Sequence, residues 1–164
     1  MKLLQLTWLS LVVISLLAFK NADKVSDHGA ASGPSANGQG GLTINGQVQQ
    51  FSFHARTDKN GVVSGSWESH SPGQDFRTHG IITCMQILPD GKTAVFSGVI
   101  THVGGEGFPF VKEGDPVWFK VTDNGEGADA VPDLFSDYYL GLSGCADYGG
   151  AMRPIENGNF QVKP

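Results

Sequence analysis

Charge is scarce in this chain. Asp, Glu, Lys and Arg make up 16 % of its 164 residues, against roughly a quarter in ordinary soluble proteins. Basic charge is the scarcer sign, with 11 Lys and Arg against 16 Asp and Glu and a net charge of −5. An acidic chain without a basic stripe is a poor partner for nucleic acid, whose phosphates need cations. It is an equally poor partner for a strongly anionic membrane surface. No amphipathic helix pattern and no internal repeat is present, so the sequence does not describe a helical bundle or a repeat array. There is no Gly-x-Ser-x-Gly elbow, and the Gly-rich stretches join strand-like segments without opening helices. That excludes the Walker-type and dinucleotide loops and leaves nucleophilic catalysis with little support. Cysteine is limited to Cys84 and Cys145.

Long apolar runs are absent except for one, Leu3 to Phe19, which follows Lys2 and holds no charge. It is shorter than the roughly 20 residues of a stable membrane span and fits the apolar part of a secretion signal. Ala18-Phe19-Lys20 and Lys20-Asn21-Ala22 miss the small-x-small cleavage pattern, so an uncleaved anchor stands as the alternative. No Cys follows the run, which excludes a bacterial lipoprotein. Residues 1–22 are read as a signal peptide and residues 23–41 as a flexible linker, with His28 solvated within it. Residues 42–164 form one β-domain, in keeping with the length. A secreted or periplasmic location follows.

What is abundant is glycine, at 23 residues, and a period of two. Phe51, Phe53 and Ala55 alternate with Ser52, His54 and Arg56; Val63, Gly65 and Trp67 alternate with Ser64, Ser66 and Glu68. Lys59-Asn60-Gly61 reads as a three-residue hairpin loop with Gly61 left-handed, pairing Thr57 with Val63 and Phe53 with Trp67. Ser71-Pro72-Gly73-Gln74 is the next turn, and pairing Ser69 with Phe76 sets Ser66 opposite His79. Pro89-Asp90-Gly91-Lys92 joins strands three and four, with Asp90-Gly91 a type I′ candidate. Those two strands are apolar on both faces, as in a covered strand or one broken by a bulge. Val117 to Asp123 and Leu134 to Leu142 read as further strands, with closing strands around an Asn157-Gly158 turn. The fold predicted is all-β, a single antiparallel barrel or closed sandwich of about eight strands, because closure removes exposed edges.

Several segments resemble a group of secreted bacterial proteins of unassigned function. They are Phe51-Ser52-Phe53-His54-Ala55-Arg56, Gly61-Val62-Val63-Ser64-Gly65, Thr83-Cys84, Ser97-Gly98-Val99-Ile100-Thr101, Val121 to Ala128, Pro132-Asp133 and Pro154 to Asn159. The Asp-Asn-Gly-Glu-Gly-Ala run is the most specific piece. The resemblance covers about Leu42 onward; it implies a secreted β-domain and supplies no reaction.

Four groups of residues carry candidate chemistry. Cys84 and Cys145 suit a disulfide in an exported chain, closing a long loop for about 4 kcal/mol in the chain-entropy model; two buried thiols are the alternative. Asp123, Asn124, Glu126, Asp129 and Asp133 concentrate hard oxygen ligands in one loop, which makes calcium the candidate cofactor. The spacing is not that of an EF-hand, since Gly125 and Leu134 stand where ligands are needed, and this favours a turn whose carboxylates accept nearby amide N–H groups. His54, Ser66, His79 and His102 fall in one row across four strands. Two adjacent imidazoles could hold zinc but want a third ligand, so a polar stripe on the solvent side is the plainer reading. Phe108, Phe110 and Trp118 suggest an apolar mouth for a ligand, or ordinary core. These features leave two functions open. One is a non-enzymatic exported module that binds a small apolar or glycan ligand or packs into an extracellular assembly. The other is a small barrel enzyme (isomerase, cyclase or hydrolase) with its site inside. An empty interior with a polar group of shifted pKa would favour the enzyme.

Overall fold

The computed structural model describes residues 33–106, 108–127 and 129–164. The expected signal peptide, and the linker up to residue 32, lie outside the described residues. Ten strands are present among those described: β1 Ser35–Ile44, β2 Gln47–Thr57, β3 Val63–Ser71, β4 Phe76–Ile87, β5 Thr93–Gly105, β6 Pro116–Thr122, β7 Leu134–Phe135, β8 Tyr139–Leu140, β9 Arg153–Pro154 and β10 Asn157–Lys163. They form one curled antiparallel sheet in the order β10-β1-β2-β3-β4-β5-β6-β7-β9, with β8 also on β6. The all-β expectation holds at that level. No strand ladder joins the two ends among the described residues, so the sheet curls without closing by strand pairing.

The alternation read from β2 and β3 is the alternation of the fold. Phe51, Phe53, Ala55 and Trp67 are buried, and Thr57↔Val63, Ala55↔Gly65 and Phe53↔Trp67 are the observed pairs. Gly61 has φ 80° as the three-residue loop requires. Inside the curl, Phe51 stacks on Phe135 at 4.1 Å and Phe96 on Phe119 at 4.7 Å, and the Phe53 and Phe160 rings meet edge to face at 5.3 Å. Such contacts add to the burial of large apolar surface that drives the sheet to curl. β5 is covered on both faces from Thr93 to Gly98, and bulges interrupt the β4–β5 ladder beside Ser97-Gly98 and again between Ile100 and His102. Both readings offered for these strands are therefore realised.

Four expectations need correction. Residues 35–41 are not linker but most of β1, with Ala36 fully buried. Their small side chains are required by close approach: a Cβ on Gly38 would meet the Phe160 ring. The type I′ signature belongs to Asn45-Gly46, at φ 50° and 78°, which joins β1 to β2 in a two-residue hairpin. Asp90 is not at positive φ; its carboxylate instead accepts N–H bonds from Lys92 and Thr93. Ser71, not Ser69, faces Phe76, because the turn Pro72–Gln74 is followed by Asp75 in the left-handed region and consumes no strand residue before Ser71. Asn157-Gly158 is not a turn but the start of β10.

Cys84 and Cys145 are disulfide-bonded, with Cα atoms 5.8 Å apart. The bond holds the segment after β8 against the outer face of β6. There Trp118 Nε1 donates to the Ala146 carbonyl at 3.0 Å, Lys120 pairs with Asp147 at 2.8 Å, and Tyr148 meets the Trp118 ring edge-on. Lys120 holds the Asp147 carboxyl below its usual pKa, helped by the Gly149 N–H.

The free edge of β10 is met by carboxylates. Asp123 Oδ2 accepts the Val162 N–H at 2.9 Å and Asp133 Oδ2 the Phe160 N–H at 2.6 Å. The second oxygen of each serves its own loop, Asp123 Oδ1 taking Gly125 N–H and Asp133 Oδ1 taking Asn124 N–H. Asp133 is buried. Replacing it by Ala strands two donors, so Asp133→Ala should cost about 4 kcal/mol, at about 2 for each charge-assisted bond. Asp129→Ala, at an exposed position, should stay within about 0.5 kcal/mol; urea denaturation of both variants checks the contrast. Reduction of the disulfide should lower the melting temperature by about 10 °C in thermal unfolding, as a loss of some 4 kcal/mol does at this size.

Candidate functional site

The curl is filled by phenylalanines at its middle and open at one end. The open end is a pocket of about 360 Å³ between the β1–β2 hairpin, the inward positions of β3, β4 and β5, residues 108–111 and the start of β6. It is built by position along each strand. Trp67, Ser69 and Ser71 succeed one another on the inward face of β3, and Phe76 and Thr78 do so on β4. Near the mouth, inward residues therefore become polar and leave unfilled space where, deeper in, phenylalanines meet. Gln49 donates to the Ser69 hydroxyl at 3.2 Å. The Ser71 and Thr78 side chains are buried and, among the described residues, bond to no other side chain. The Trp67 indole lies on Gly80, its partner across the ladder, where any Cβ would collide with it. Its Nε1 is buried without a hydrogen-bond partner among the described residues, a cost that a ladder-register reading does not explain.

Asp137 and Tyr138 form the other wall. They interrupt what would have been one strand into β7 and β8. Asp137 sits at φ 70°, a conformation that costs energy in a non-glycine residue. Its Oδ1 accepts the Tyr138 N–H at 2.7 Å. Burial raises the Asp137 carboxyl above its usual pKa, against the opposing effects of that bond and of the Arg153 charge. Burial first, and then the carboxylates of Asp137 and Glu68, push the Tyr138 hydroxyl well above its ordinary value. Tyr138 packs on Trp67 at 4.9 Å and on Phe119 at 5.2 Å, and so ties the pocket to the core.

Phe108 and Phe110 line this mouth as the sequence suggested. Trp118 does not. It faces the opposite side of β6 beneath the disulfide-held segment, because Val117 and Phe119 take the inward parity. The expected row of His54, Ser66, His79 and His102 splits in two. Ser66 faces His54, with its hydroxyl 3.3 Å from Nδ1, and His79 faces His102 with ring centroids 5.9 Å apart. The two-residue difference in the β3–β4 register sets Glu68 opposite His79 and Ile81 opposite Ser66. Carboxylates of Glu68 and Glu113 stand 3.5 Å from the Nδ1 atoms of His79 and His102. Both pairs lie on the outer face, away from the pocket.

The acidic loop behaves as the turn reading requires at Asp123, which accepts from Gly125 N–H. Asn124 instead donates, its side chain to the Pro132 carbonyl and its N–H to Asp133. Glu126 accepts from the Asn159 and Gln161 side chains. Asp129 is exposed. Among the described residues no three His, Cys, Asp or Glu are grouped to hold a metal ion. No family model, curated protein or solved structure matches the chain.

Trp67, Ser71, Phe76, Thr78, Asp137 and Tyr138 were not singled out by the sequence. The available signal was Ser and Thr at inward positions that continue the parity of Trp67 and Phe76. Because the Asp137 pKa is raised on folding, the ionised carboxylate weakens the folded state, and the stability present below the unfolded pKa is lost as pH rises through the folded one. Asp137→Asn keeps the acceptor for Tyr138 N–H and tolerates positive φ. Its melting temperature should therefore exceed that of the parent at pH 7, with the gain shrinking toward pH 3; melts across that range give the answer.

Proposed function

We propose that this chain is an exported, non-enzymatic β-domain that binds a small, mainly apolar ligand in the pocket at the open end of its sheet. The observation that carries this is the unfilled space itself, bounded by Trp67, Phe76, Phe108, Phe110 and Tyr138 with a few convergent polar groups. That combination is the usual make-up of a small-molecule site. Export accounts for the disulfide and for the uncharged run Leu3 to Phe19, and agrees with the resemblance to secreted bacterial proteins. No helix of the described residues is long and apolar enough to cross a membrane. On this reading the sheet works as a barrel, shut along its seam by side chains and open at one mouth, with residues 1–22 as signal and the residues before β1 as linker.

A second reading is favoured by one observation, the half-buried Asp137 with its raised pKa beside Tyr138. Such a group could act as a general acid or base on a substrate held in the same pocket, in an isomerisation, cyclisation or hydrolysis.

A neutral apolar fluorophore, N-phenyl-1-naphthylamine, tests the pocket. We expect saturable binding at one site. Val111→Trp, which fills the mouth from a partly buried loop position, should weaken it about tenfold or more, or 1.4 kcal/mol. Absence of saturable binding, or equal affinity in the filled variant, would exclude the pocket as a ligand site.

A further inference from the structure

We propose that the pocket takes an organic monocation, an amine or quaternary ammonium on an apolar body, with Asp137 as its counter-charge. This rests on the ligand-binding reading above and adds the charge of the ligand.

The charges of the lining decide it. Among the described residues that bound the pocket there is no Lys, Arg or His, and one carboxylate, Asp137. An anionic ligand would find no cation to offset its desolvation and would be repelled at short range in a low-dielectric site. A neutral ligand would leave the carboxylate as it stands, half-buried and without an ion pair among the described residues. Arg153 acts on it only through space. One oxygen of Asp137 is used by Tyr138 N–H, and the other accepts no hydrogen bond from the described residues. A cation placed there supplies what the carboxylate lacks.

The apolar lining points the same way. Trp67 and Tyr138 pack together at 4.9 Å beside Asp137, and Phe76 and Phe108 pack edge to face at 4.8 Å across the mouth. Aromatic faces attract cations through the ring quadrupole, and more strongly where water is excluded. Quaternary ammonium groups are bound by such rings without needing hydrogen bonds. The net charge of −5 favours approach of a cation over that of an anion. The burial that raises the Asp137 pKa is a cost to the free protein, and a cation beside the carboxylate is what offsets it.

Competition against bound N-phenyl-1-naphthylamine compares two isosteres, benzyltrimethylammonium and neopentylbenzene, which differ by one charge. On the full chain at pH 7 and low salt, the cation should bind at least about tenfold more tightly than the neutral compound. The preference should fall to about one in Asp137→Asn and shrink with added salt. Equal affinities in the parent, with the fluorophore still bound, would overturn the cation assignment and leave the pocket reading standing. A preference that survives in Asp137→Asn would also overturn it, since the charge would then be read elsewhere. If the fluorophore itself does not bind, the pocket reading fails first and the cation inference with it.

Discussion

Asp123 and Asp133 each hold two backbone N–H groups, one from their own loop and one from the free edge of β10. The donors on β10 are Phe160 and Val162, two residues apart and so on the same side of the strand. The two carboxylates thus occupy the places where carbonyl groups of a further strand would sit. A strand edge left bare in this way would invite pairing with another chain. Here the last long strand of the sheet is joined by one charge-assisted bond to the residue after β6 and by another to the residue before β7, and such bonds are individually stronger than ladder bonds. The phenylalanine core is continuous with this closure, because Phe160 packs on Phe51 and Phe53 of β2, and Phe51 in turn stacks on Phe135 of β7 across the curl.

Closing the curl by side chains at one end leaves the other end free to differ. The acidic loop follows the last residue of β6, while Val117, near its first residue, lines the pocket. At the loop end Asp123, Asn124, Glu126 and Asp133 are partnered. At the mouth the polar groups are less so, with the Trp67 indole N–H unpaired among the described residues, Asp137 at positive φ and its carboxyl destabilised by burial. Structures keep such costs mainly where they act on something else. The contrast between a satisfied end and an unsatisfied one is the physical basis for the proposal of a ligand site at the mouth. The disulfide-held segment on β6 has a different part, covering Trp118 and Lys120 so that β6 is buried on both faces.

Strands with a clean period of two were legible, and so was the β2–β3 register, since the Gly61 turn sets Phe53 opposite Trp67 with their apolar faces coincident. The class of fold followed from composition, and the pairing of Cys84 with Cys145 from the expectation of an exported chain. β1 was not legible as a strand because its Gly and Ala residues look like linker; what selects them is the Phe160 ring across the ladder, which no local pattern announces. The Asn45-Gly46 hairpin was there to be read and would have recovered β1. The β3–β4 register turned on whether Asp75 belongs to the turn, and that one decision split the histidine row. The pocket was half legible. Phe108 and Phe110 advertise it, but Asp137 and Tyr138 look like ordinary strand residues until the positive φ at Asp137 turns the chain inward.

The claim that carboxylates stand in for a strand is tested most directly by amide hydrogen exchange, residue by residue. Among the described residues, the Phe160 and Val162 N–H groups face no strand. If Asp123 and Asp133 close the sheet, these two amides exchange only with global unfolding, as slowly as the amides in the centre of the β1–β2 ladder. Exchange at the rate of an open sheet edge would contradict the account.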